Sequence, residues 1–210
     1  MSSQPTPDLS ELFTERSLWE IYRKSPSVFR NPFNRGVLIA TAILLATFAC
    51  FHFAWGSSSA PRLHFAEVFA NWANVGISFA GTILGFLVAG FAVLFTVLRP
   101  QTLANLQQIT RPDHNVSELK LLFFVFVDVF VHYVSFLFWC MAVLVFGAKD
   151  GPADWVGRIA GGWWPASPEI VCHAIFAAWG TWFVLLVLKL KSFIFNLYQC
   201  LLLGMADTLE

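Results

Sequence analysis

Charged residues fall away over four long stretches of this chain, and hydrophobic residues fill the gaps. Arg35 and Arg62 bracket the first stretch, with an apolar heart at 37–55. Glu67 and Arg99 bracket the second, whose hydrophobic part is 76–98. The third runs over 121–147 with Asp128 as its one charged residue, and the fourth over 170–188, between Glu169 and Lys189. A bilayer core about 30 Å thick takes roughly 20 apolar residues of helix. Each stretch meets that length, so the pattern predicts four spanning helices. A membrane barrel would need short alternating strands, and these runs are continuous. The expected fold class is all-α integral membrane: a four-transmembrane-helix bundle over 37–190, with amphipathic helical segments before and after it.

The flanks are patterned differently. Segment 1–36 keeps charges throughout. Over 8–25, Leu9, Leu12, Phe13, Leu18, Trp19, Ile21 and Tyr22 fall roughly on one face, with Glu11, Glu15, Arg16, Glu20 and Arg23 on the other. This is an amphipathic helix opened by Asp8 and Glu11, suited to a membrane surface or a cytoplasmic partner. Ser25-Pro26 and Asn31-Pro32 break it. In the middle loop, Arg99-Pro100 ends the second span, 101–109 forms a short amphipathic turn, and Ser117 is a candidate N-cap for the third span. Past Leu188 the helical pattern continues without proline to about 204. Lys189, Ser192, Asn196 and Gln199 form a narrow polar stripe there, so 191–210 is expected to be an amphipathic helix that makes oligomer contacts or lies in the interface.

Composition sharpens the class. The chain has 210 residues, of which 57% are hydrophobic and 12% charged, with 23 Phe and 9 Trp. Soluble domains carry about 25% charged residues, so a water-soluble fold is excluded, as is a disordered chain. The formal net charge is zero, which leaves no basic field for direct nucleic-acid binding. Lys and Arg are placed asymmetrically. Arg16, Arg23, Lys24, Arg30, Arg35, Arg99, Arg111, Lys120, Lys189 and Lys191 fall on one side of the four spans; Arg62, Lys149 and Arg158 fall on the other. The positive-inside rule puts both termini and the middle loop in the cytoplasm, with Trp155, Trp163 and Trp164 as external interface anchors. No cleavable leader and no lipidation box is expected. The expected location is the cell inner (plasma) membrane.

Candidate chemistry is sparse. Asp128, His132, Ser135 and Trp139 recur at helical spacing and form a polar seam through the third span, readable as an ion or proton path or as a packing lock. Gly81, Gly85 and Ala89 repeat every four residues in the second span, the spacing for close helix packing, and Gly76, Ser78 and Gly90 add further small residues. Gly180 is a weaker counterpart in the fourth span. His52, His64, Glu67, Glu169 and His173 are a possible outer cluster, but their spacing matches no metal motif, and neither metal nor cofactor is expected. Cys50, Cys140, Cys172 and Cys200 form no Cys-x-x-Cys pair. No phosphate loop, nucleophile elbow or His-Glu-x-x-His motif is present, so no enzyme is expected.

The expected function is that of a small, homo-oligomeric, non-catalytic membrane subunit that senses the envelope or anchors a cytoplasmic partner, as in bacterial stress or antiviral defence systems. The alternative is an oligomeric ion channel or proton conductor that uses Asp128 and His132.

Overall fold

The computed structural model describes residues 20, 31–55, 63–97, 100–108, 110–111, 116–147, 151–152, 159 and 167–206. The amphipathic segment 8–25, apart from Glu20, and Trp155, Trp163 and Trp164 lie outside the described residues. Those described are almost entirely helical: α1 (Pro32–Trp55), α2 (Leu63–Val97), α3 (Pro100–Gln108), α4 (Glu118–Phe146) and α5 (Ser167–Ala206). Between α3 and α4, β1 (Thr110–Arg111) pairs antiparallel with β2 (Val116–Ser117), Thr110 opposite Ser117. Four of the helices are long and apolar enough to cross a membrane: α1, α2, α4 and α5.

Local chemistry sets the helix ends. The Phe33 amide donates to Asn31 Oδ1 at 2.9 Å, so Asn31 is an N-cap with Pro32 at the first helical position. The same Asn-Pro pair that breaks the preceding pattern therefore starts α1, five residues ahead of the apolar heart at 37. Pro100, after Arg99, opens α3 in the same way. Ser117 caps α4: its Oγ accepts the Lys120 amide at 3.4 Å, a long bond. At the other end of α4, the Gly147 amide donates to the Val143 carbonyl at 2.8 Å. α2 begins at Leu63, well before residue 76, and α5 runs unbroken through 40 residues. Backbone hydrogen bonding carries these helices through polar flanks that the apolar pattern alone does not mark. The hydroxyls of Thr41, Thr47, Thr82, Thr96 and Thr181 donate to carbonyls of their own helices at 2.7–2.9 Å, so none needs water.

The chain forms two compact units. In the first, from residues 85–131 and 189–206, Leu94, Leu106, Leu119 and Leu122 form the core, with Leu103, Leu197, Cys200 and Leu201 packed against it. The amphipathic α3 is thus held by Leu103 and Leu106. Phe91 stacks on Phe126 at 3.9 Å between ring centres, and Phe126 lies 6.0 Å from Phe193. Buried residues in this part of α4 cover nearly every direction around the helix: Leu119, Lys120, Leu121, Leu122, Phe124 and Val125.

In the second unit, from residues 31–84 and 132–188, the core is aromatic. Phe136 meets Trp182 edge-on at 5.6 Å and lies 6.1 Å from Phe183, and Phe79 lies 4.7 Å from Phe183. Phe69 stacks on Trp179 at 6.3 Å. Two glycines permit close approach here. A Cβ at Gly76 would fall 2.7 Å from Cys140 Sγ, and one at Gly180 2.7 Å from Leu45 Cδ1. Tyr133, fully buried, donates its hydroxyl to the Leu186 carbonyl at 3.2 Å, which ties α4 to α5.

Candidate functional site

Asp128 lies a little more than two and a half turns into α4, and Lys189 just past the middle of α5. The Lys189 ammonium donates to Asp128 Oδ2 in a salt bridge, and each side chain is only 7% exposed. Phe124 and Phe193 stand one turn from Asp128 and Lys189 along their helices, and both are buried. The pair is therefore a low-dielectric one. Attraction between the two charges offsets the desolvation of each, and the loss of either partner removes that offset. The surroundings are apolar on the Phe124 and Phe193 faces.

The remaining seam residues separate from Asp128 in burial. His132 is half-buried, Ser135 is exposed, and Trp139 is 41% exposed. The buried stripe in this half of α4 is Val129, Tyr133, Phe136 and Cys140. It has the same spacing as the polar stripe but is displaced by one residue, a rotation of about 100° on the helix. The polar seam does not run along one interior face.

The small residues of α2 divide similarly. Gly81, Gly85 and Ala89 are exposed and Gly90 is half-buried, and a Cβ added at any of the three glycines would meet no atom within 4 Å. Close packing within the chain uses Gly76 and Gly180 instead. Of the outer cluster, His52, His64, Glu67 and Glu169 have side chains outside the described residues, and His173 is half-buried on α5. Among the described residues no group of three or more His, Cys, Asp or Glu side chains is placed to hold a metal. Cys50 is exposed, Cys140 buried, and Cys172 and Cys200 intermediate, all as free thiols.

Read along the chain, Lys189 marks one end of the fourth apolar stretch; its pairing with Asp128 is a second role that the hydropathy pattern does not assign. The sequence carries a partial signal of that pairing: Asp128 and Lys189 are each the first charge met when α4 and α5 are followed away from the loop between them. Two lone opposite charges at matching depth on consecutive antiparallel helices are natural partners. No family model, curated protein or solved structure matches the chain.

Proposed function

We propose that this protein is a non-catalytic, multi-pass subunit of the inner membrane, with cytoplasmic termini, that senses the envelope or anchors a cytoplasmic protein partner. The observation that carries this reading is the Asp128–Lys189 salt bridge. A permeation path through the third span needs Asp128 free to face water and exchange ions or protons. Its carboxylate is instead held by a buried ammonium. The exposed apolar side chains Ile194, Phe195, Tyr198 and Leu202 on α5 supply a face on which a protein partner can dock. The exposed Gly81, Gly85 and Ala89 offer a second copy of the chain a close approach.

The test has two arms. Wild-type protein reconstituted in vesicles passes no more protons or alkali cations than empty vesicles; flux that Asp128→Asn abolishes overturns the anchor reading in favour of the channel. In membranes solubilised from the native cell, the triple substitution Ile194→Ser, Phe195→Ser, Tyr198→Ser releases a co-purifying cytoplasmic protein; a partner retained in full counts against docking on α5. The three substitutions leave Phe193, Leu197, Cys200 and Leu201 in place in the first unit's core.

A further inference from the structure

The lengths of the helices do not fit a bilayer that reaches both of their ends. The apolar part of α5, Ile170–Leu202, has 33 residues, or about 50 Å of helix. Fitting it within about 30 Å of hydrocarbon requires a tilt above roughly 50°, beyond the observed range of about 0–40°. The hydrocarbon must therefore end somewhere along α5.

Two counts, each made on one helix alone, find the same place. On α5, Glu169 precedes Ile170, and the first charge after it is Lys189, about 28 Å further along. On α4, Phe146 is the last helical residue, and the first charge met on going back from it is Asp128, about 27 Å away. Both distances are close to one hydrocarbon thickness, and the two residues so picked out are the ones bonded to each other. A carboxylate and an ammonium cost several kcal/mol at the bilayer centre but far less at its edge.

We propose that the hydrocarbon of the bilayer ends at the Asp128–Lys189 pair, so that α4 before Asp128 and α5 after Lys189 lie in the headgroup layer and the water beyond it. The pair then acts as a depth stop against the lipid surface. Sliding either helix inward by a turn drags a charge into hydrocarbon, and sliding it outward exposes apolar surface to water. Burial of α4 in nearly every direction between Leu119 and Val125 accords with this, and the apolar face that α5 exposes past the pair at Ile194, Phe195 and Tyr198 then lies along the headgroup layer. The inference holds whether or not the chain serves as an anchor, and whichever way round it inserts.

Single cysteines at exposed positions test it: Phe195→Cys and Tyr198→Cys past the pair, Val187→Cys and Phe138→Cys before it. These side chains are 59%, 55%, 43% and 74% exposed, so the substitutions leave the core intact. The full chain is placed in nanodiscs, which open both faces to solvent, and treated with a charged maleimide. Peptide-level mass spectrometry reads each site separately from the native Cys50, Cys140, Cys172 and Cys200. Because thiolate forms in water and not in hydrocarbon, positions 195 and 198 label roughly tenfold or more faster than 187 and 138. Equal inertness at all four sites places the span through Leu202 and overturns the proposal. So does labelling at 187 as fast as at 198, which puts the boundary nearer the outer face.

Discussion

A salt bridge between two nearly dry side chains is most informative when one partner is removed. Asp128→Asn takes the counter-charge from the buried Lys189 ammonium, and Lys189→Met takes the ammonium from Asp128 Oδ2. Each single change is expected to cost about 3–5 kcal/mol of stability. The double variant Asp128→Leu, Lys189→Met removes both charges and recovers most of that loss. Thermal unfolding in detergent checks the cycle, and a double variant as unstable as either single one overturns the account. Tyr133→Phe is a milder probe. It deletes the hydrogen bond to the Leu186 carbonyl while keeping the ring, and costs about 0.6 kcal/mol, the average for such bonds between membrane helices. Asp128 is conspicuous in the sequence because a lone carboxylate in an apolar run needs a partner. The matching positions of Asp128 and Lys189 on consecutive helices point toward that partner, and the register of α4 against α5 decides it.

At the scale of the helix, periodicity fixes which residues share a face but leaves open which face turns inward. Asp128, His132, Ser135 and Trp139 do share a face, yet beyond Asp128 the buried stripe is the one displaced by a single residue, through Tyr133, Phe136 and Cys140. In lipid both faces of a helix are apolar enough to be outside, so the usual contrast between wet and dry faces is missing. The glycines of α2 follow the same logic. Gly76→Val drives a side chain into Cys140 and Phe136 and is expected to destabilise the chain by about 1–3 kcal/mol. Gly85→Ala meets open space and is neutral or stabilising by up to about 1 kcal/mol through helix propensity. Detergent unfolding separates the two. If a second copy packs on this face, Gly85→Leu lowers the dimer yield in chemical crosslinking while leaving the monomer's melting unchanged.

At the scale of the whole molecule, the expectation concerns sidedness. Reporters fused to the two ends are expected to signal from the same, cytoplasmic compartment, as the Lys and Arg bias requires; opposite signals would remove one span from the count. The sequence by itself determines the number of candidate spans, the helical class and the cap at Ser117. These follow from local rules: hydrocarbon length per residue, and orphan amides that need a nearby acceptor. Tertiary structure alone decides that Lys189 answers Asp128, that Gly76 and Gly180 rather than Gly81 and Gly85 take the close contacts, and that α3 is stapled to α4 and α5 through leucines. Those outcomes depend on the rotation and axial register of one long apolar helix against another. Hydrophobicity is nearly uniform around such helices, so only the packing of particular side chains sets either quantity.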